Sequence, residues 1–399
     1  MTQSAPFLAY GRQSITQNDI EAVIAALKSD FLTTGPLVAQ FEAAIAAAVG
    51  AREAVVVSNG TAALHLALLA MDLEPHDVVI VPSITFVASA NAVAYCGAKV
   101  VFADIDPLTG LMSNDSFDEA LAYIQSYPNL RFAGVIPVHY AGRPVDLSYI
   151  AKRTKDLGGF ILEDACHALG SVGRQGRIGA CSQTDMACFS FHPVKTITTG
   201  EGGAITLNDP FIAQKLRQLR SHGIERDPQH FMGLGFGDEH DTAPYVHEMQ
   251  ALGYNYRLPD INCALGLSQL ARLPQFLERR ARLINLYSDL LPGYGMDVHW
   301  QRPEVGEICA FHLFAIVLGE GLNISKSDIM VGLKQRGIGS QVHYMPVHRQ
   351  PFWQTHQLFK RPLPQADSYY CQTLSLPLYP DMEDGDPKRV LDALAEIVS

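Results

Sequence analysis

This chain of 399 residues has no excess of basic side chains, no long apolar run, no paired cysteine spacing and no internal repeat or low-complexity segment. With 30 Lys and Arg against 41 Asp and Glu, its formal net charge is -11. That balance gives no footing for nucleic acid or an anionic membrane, so an anionic substrate needs a local site. No stretch approaches the roughly 18 apolar residues of a membrane-crossing helix. The opening Met-Thr-Gln-Ser-Ala-Pro-Phe lacks the basic start and apolar run of a signal peptide, and a cytoplasmic location is expected. Seven cysteines (96, 166, 181, 188, 263, 309 and 371), odd in number and without Cys-x-x-Cys, suggest neither a disulfide framework nor a zinc site. They read as reduced, mostly buried thiols, and no metal is expected.

What remains is an ordinary globular composition, 48% hydrophobic and 18% charged, with a length that suits two domains. Residues 17–29 and 36–49 carry helical patterns. The polar segment between them also holds Phe31 and Leu32, as a loop over a pocket would, although a plain helix–helix connection fits too. From Ala54 the pattern becomes alternating strand and helix, with compact apolar strands at 54–57, 78–81, 100–103, 133–138, 160–162, 186–189 and 204–207. Such runs suit a sheet covered on both faces, so an α/β domain with a mainly parallel sheet is expected. Residues 225–247 read as a long loop. A leucine-rich helical region follows Asp260. A smaller α+β domain is expected over 291–399, after a large domain over 1–290, with strands at 311–317 and 340–344, a helix at 326–336 and a terminal helix from about Pro387.

Ligands of such sheets collect beyond the carboxyl ends of the strands, and several candidate residues fall there. Lys195 lies between the strand 186–189 and the glycines Gly200, Gly202 and Gly203, which permit the positive backbone angles of a tight turn. A lysine at that rim can be partly desolvated, which lowers its pKa and frees the amine to attack an aldehyde; a surface lysine beside an ordinary turn fits as well. Ser58-Asn59-Gly60-Thr61 joins a strand to a helix, where free amides suit a phosphate or simply start the helix. Asp164 ends another strand, as a ligand to a protonated pyridine or as a solvated strand-end acid.

Together, Ser58-Asn59-Gly60-Thr61-Ala62-Ala63-Leu64, Phe86, Glu163 to Gly170, Ser190 to Gly203 and Gly253-Tyr254-Asn255-Tyr256-Arg257-Leu258 occur in the order seen in one family. The chain resembles the DegT/DnrJ nucleotide-sugar aminotransferases, of fold type I, over nearly its whole length. The resemblance implies pyridoxal 5'-phosphate as cofactor, with Lys195 as its Schiff-base lysine and proton shuttle and Asp164 on the pyridinium nitrogen. It implies Phe86 on the ring face, His167 against the ring or its phenolic oxygen, and Gly60, Thr61, Ala62 and Ser190 at the phosphate. Asn255 would reach the phosphate of a second subunit, making a homodimer with shared sites the minimal unit. Tyr10, Leu32, Thr33, His312, His343 and Tyr344 would contact substrate.

Within the family, His-Pro-Val-Lys-x-Ile-Thr-Thr-Gly-Glu-Gly-Gly and Cys-His-Ala-Leu-Gly look most like the branch of pseudaminic acid biosynthesis. Thr196 departs from the proline often found after the lysine. That likeness implies L-glutamate as donor and a UDP-linked 4-keto sugar as acceptor, with UDP-4-amino-4,6-dideoxy-N-acetyl-β-L-altrosamine as product. The alternatives are the same reaction on a GDP- or dTDP-4-keto-6-deoxy sugar, or a noncatalytic relative that binds the cofactor as a regulator.

Overall fold

A computed structural model of the chain describes residues 6–233, 243–300, 302–356 and 360–399. Seven strands form the central sheet: β1 (Glu53–Val57), β2 (Asp77–Pro82), β3 (Lys99–Ala103), β4 (Arg131–Val135), β5 (Phe160–Asp164), β6 (Met186–Ser190) and β7 (Gly203–Leu207). Their spatial order is β1-β7-β6-β5-β4-β2-β3. Neighbours pair in parallel except at β7, which runs antiparallel to both β1 and β6. The protein is thus an α/β fold with a mostly parallel sheet. Among the described residues no helix is long and apolar enough to cross a membrane.

Successive strand residues point to opposite faces, and both faces here are covered. Val55, Val57, Val79, Val81, Leu162 and Ile205 enter one core. Val56, Ala187, Phe189 and Ala204 enter a second on the opposite side, with Val78, Ile80, Val101 and Ile161 in a third. A short run of Val and Ile without polar alternation is the pattern that such two-sided burial requires. The helix Gly60–Ala70, almost entirely buried, packs within the first core.

The C-terminal part has its own core. An antiparallel sheet of Val298–His299, Phe314–Leu318 and Thr373–Leu376 buries Phe314, Ile316, Leu374 and Leu376 against Ile329, Leu333, Val390 and Leu394 of the helices Lys326–Gln335 and Asp386–Val398. Leu8, Leu283, Ile284 and Tyr287 join this core from earlier in the chain. The helix Leu273–Leu290 leads into this part of the chain.

Several sequence expectations are corrected. The 340–344 stretch is not a strand: a single bridge joins Gln341 to Ser375. Its continuation is held by side chains instead, as Ser375 Oγ lies 2.8 Å from His343 Nδ1 and Tyr140 Oη donates to the His343 carbonyl at 2.6 Å. The strand expected from 311 begins at Phe314, because Phe311 has a φ of 48° and turns the chain. The helical region after 260 is two helices, Asp260–Ala271 and Leu273–Leu290, the second opening on Pro274. Of the three glycines after Lys195 only Gly200 has a positive φ, 81°. Gly203 is needed for close approach, since a Cβ there would stand 2.6 Å from the Asn59 carbonyl oxygen. Of the expected 225–247 loop, Ile224–Glu225 pairs with Glu248–Met249, while 234–242 lie outside the described residues.

Candidate active site

At the carboxyl ends of the strands a cavity of about 870 Å³ brings together most of the residues singled out by sequence. Gly60, Thr61, Ala62 and Ser190 line it, with Gly60 packed against Ser190, as do Asp164, His167 and Lys195. Phe86, Tyr10, His312, His343 and Tyr344 complete the wall. Leu32, Thr33 and Asn255 do not line it; all three are exposed elsewhere on the surface of the chain. Leu32 is held where its carbonyl accepts from the Asp260 amide at 3.0 Å, and Asn255 makes a backbone bridge to Ser221.

Gly60 opens a helix. Asn59 Oδ1 accepts from the Ala62 amide at 2.8 Å, so the cap occupies one of the three amides expected to meet a phosphate. The first-turn amides of Gly60 and Thr61 have no acceptor within the helix and, with the positive helix end, suit an anion. Glycine is required at 60 because a Cβ would stand 2.8 Å from Ser190 Cβ. The absence of that atom lets β6 pack closely against the helix start.

Asp164 is 5% exposed. Its Oδ2 accepts from Ser89 Oγ at 2.6 Å and its Oδ1 from the Cys166 amide at 3.2 Å. Lys195 follows β6 in a loop whose first turn is closed by its own amide donating to the His192 carbonyl at 2.8 Å. Burial lowers the lysine pKa, against the opposing pull of Cys166 and Asp164. Loss of hydration penalises the ammonium more than the neutral amine, so an attacking amine becomes available nearer to neutral pH.

Three histidines share the site in neutral form. Burial, then the charge of Lys195, then His343, holds His167 well below the usual histidine range. Its Nδ1 accepts from the Ala141 amide at 3.2 Å, which places the ring proton on Nε2, 3.1 Å from Tyr344 Oη. The ring centroids of His167 and His312 lie 4.2 Å apart. His312 is likewise held low by burial and then by His167, Lys195 and Arg280. Burial and Lys195 bring His343 down to about 3. Burial, then Asp164 and Cys166, pushes the Tyr344 phenol up, so it remains a hydroxyl.

Sequence reading missed several supporting residues. Arg280 is fully buried and its Nη1 donates to the carbonyls of Phe311, His312 and Leu378, fixing the turn that carries His312. One arginine among three in its helix, beside Arg279 and Arg282, gave no sign of this. Thr85 and Ser89 bracket Phe86 at a helical i, i+4 spacing, which could have marked them as one face.

These features fit pyridoxal phosphate. The helix start would meet a phosphate, the buried carboxylate a pyridinium nitrogen, and the lysine an aldehyde. Phe86, 55% exposed, leaves a ring face open at the cavity wall.

Comparison with known proteins agrees with the geometry. Residues 13–395 match the DegT/DnrJ/EryC1/StrS aminotransferase family. The chain is 35% identical over 399 residues to the Bacillus subtilis spore coat polysaccharide biosynthesis protein SpsC, covering 98% of this chain and 97% of that one. Among solved structures it is similar to Helicobacter pylori PseC, an aminotransferase involved in the biosynthesis of pseudoaminic acid. The TM-score is 0.84 at 28% identity, over 98% and 99% of the two chains. The Streptococcus pneumoniae putative sugar aminotransferase Spr1654 aligns at 25% identity over 99% and 98% of the two chains, with a TM-score of 0.85 in its PLP form. Its PMP form gives 0.86 over 99% of each chain. The chain therefore belongs to the DegT/DnrJ/EryC1/StrS family, as a pyridoxal phosphate-dependent sugar aminotransferase.

Proposed function

We propose that the protein transfers the amino group of L-glutamate to C4 of a UDP-linked 4-keto-6-deoxy-N-acetylhexosamine. The product is UDP-4-amino-4,6-dideoxy-N-acetyl-β-L-altrosamine, made in the cytoplasm by a homodimer with shared sites. The observation that carries the chemistry is the placement of Lys195 and Asp164 on one cavity with a helix start. The sugar assignment is supported by the Cys166-His167-Ala168-Leu169-Gly170 and Lys195 motifs together with the likeness to PseC. A cavity of about 870 Å³ is at the upper end of ordinary small-molecule sites, as a nucleotide sugar requires.

When bound, pyridoxal phosphate supplies the electron sink that stabilises the carbanion formed at the donor carbon. The amides of Gly60 and Thr61 and the hydroxyl of Ser190 would hold its phosphate. Phe86 would lie against the ring, and the Asp164 carboxylate would meet the ring nitrogen. His167, with its proton on Nε2, would donate toward the phenolic oxygen. Lys195 would hold the cofactor at its aldehyde, and its buried amine, lowered in pKa, could take up and give back a proton at the donor carbon. His312, His343 and Tyr10 frame the acceptor sugar.

Among the described residues lining the cavity there is no arginine, yet a dicarboxylate and a nucleotide diphosphate both need cationic or amide partners. This supports a site completed by a second copy. So does the exposure of Tyr245 (75%), Met249 (63%) and Leu252 (78%) on the stretch that leads to Asn255, an apolar surface suited to a partner. Incubation with L-glutamate and a panel of UDP-, GDP- and dTDP-4-keto-6-deoxy sugars, with identification of the aminated product, tests the assignment. Turnover confined to a GDP or dTDP sugar would overturn the UDP reading, and no turnover with any of them would favour a noncatalytic binder.

A further inference from the structure

Behind Asp164 runs a chain of hydroxyls. Thr85 Oγ1 lies 2.8 Å from Ser89 Oγ, and Ser89 Oγ lies 2.6 Å from Asp164 Oδ2. Thr85 and Ser89 are 1% and 0% exposed, so water does not compete for these bonds. Ser89 Oγ has another neighbour, the Phe86 carbonyl at 3.3 Å, which already accepts from the Ser89 amide at 3.2 Å.

Ser89 has one hydroxyl proton to place. An ionised Asp164 has none to give, so Ser89 donates to Oδ2 along the short contact and accepts from Thr85, and every bond in the chain is directed toward the carboxylate. A protonated Asp164 would donate to Ser89 instead, turning the serine proton to the longer, shared Phe86 carbonyl. The arrangement therefore holds Oδ2 with a short hydrogen bond donated by Ser89, while Oδ1 takes the Cys166 amide. It also fixes the plane of the carboxylate. The same turn carries Phe86, so the ring-face contact and the ring-nitrogen contact are set by one short segment, 85–89.

We propose that Ser89, backed by Thr85, is a positioning residue that holds the Asp164 carboxylate oriented toward the cofactor's ring nitrogen. The proposal rests on the assignment of Asp164 to that nitrogen. Without the Ser89 donor the carboxylate is no longer held in place for the ring nitrogen, and its contact with the ring proton weakens although no residue touching the cofactor has changed.

The experiment titrates apo-protein with pyridoxal phosphate labelled with 15N in the ring, reading the dissociation constant and the ring 15N resonance at fixed pH. For Ser89→Ala, the expected result is about ten-fold weaker binding, the scale of losing a hydrogen bond to a charged group, and a resonance moved toward that of unprotonated pyridine. Ser89→Thr should restore both. Thr85→Val, one bond further away, should move both in the same direction by less. Lowered thermal stability of the Ser89→Ala apo-protein with unchanged affinity and resonance would make Ser89 a helix-start residue only, overturning the proposal. If Ser89→Ala does not fold, an unchanged resonance in Thr85→Val has the same consequence. Asp164→Asn distinguishes the two levels: if it shifts the resonance and Ser89→Ala does not, this inference alone fails. If neither shifts it, the role assigned to Asp164 fails first.

Discussion

His167 Nε2 and Tyr344 Oη lie 3.1 Å apart, joining the end of β5 to the 340s loop across the cavity. Because His167 Nδ1 is taken by the Ala141 amide, the histidine is the donor in this bond and can turn the same proton toward a bound cofactor. Tyr344→Phe removes the acceptor and leaves the tautomer intact. The expected loss in kcat/KM is about five-fold, matching a hydrogen bond worth about 1 kcal/mol. His167→Gln, which keeps a donor, should lose less than His167→Ala. Steady-state kinetics on the three variants checks the order; equal activity in His167→Ala and wild type would remove His167 from the site.

Lys195 should be the point of covalent attachment. Borohydride treatment of the holoenzyme should fix the cofactor to the peptide containing Lys195, as read by mass spectrometry. Lys195→Ala should lose at least about a hundred-fold in kcat, the usual scale of a positioned acid–base group. Label on another lysine would overturn the assignment.

Asn255, exposed and off its own chain's cavity, gives a test of shared sites. Asn255→Ala and Lys195→Ala subunits should each be nearly inactive. Random exchange makes half of the dimers mixed, each with one intact site, so activity should recover to about a quarter of wild type if the sites are symmetric. Verified exchange with no recovery would return Asn255 to its own subunit.

Low pH should destabilise the fold through the buried histidines. Burial depresses the folded-state pKa of His343 from 6.5 to about 3, so the unfolded chain takes up a proton first as pH falls. The contribution is fully present above about pH 6.5 and declines between there and about pH 3. Between pH 6.5 and 5 this residue should cost about 2 kcal/mol, at about 1.4 kcal/mol per pH unit. Melting curves of wild type and His343→Gln at pH 7.5, 6.0 and 5.0 should show a shallower decline for the variant. Parallel declines would mean that His343 does not titrate in this window.

The sheet was legible because its strands are buried on both faces: Val55, Val79 and Ile161 sit in uniform apolar runs that polar alternation would not produce. The cavity residues near strand ends followed from the same pattern, as Asp164 closes one such strand and Lys195 lies in the loop after another. The 340–344 stretch was not legible, since Val342 and Tyr344 alternate as in a strand while the bonds that hold His343 come from Tyr140 and Ser375, far away in sequence. Ser89 and Arg280 escaped for a related reason. Their partners are a carboxylate at 164 and carbonyls at 311, 312 and 378, which no local spacing connects.

The reversed direction of β7 matters for how the lysine moves. Ser190 pairs with Gly203, and just beyond that rung the Phe191 amide donates to the Gly202 carbonyl at 2.8 Å. The segment bearing Lys195 thus leaves the sheet and returns to it at one point, with the entropy of closing that loop already spent in folding. A transaminase must detach and reattach its lysine in every cycle. In the role proposed for Lys195 only the side chain would have to swing, since the backbone that carries it is already fixed at both ends.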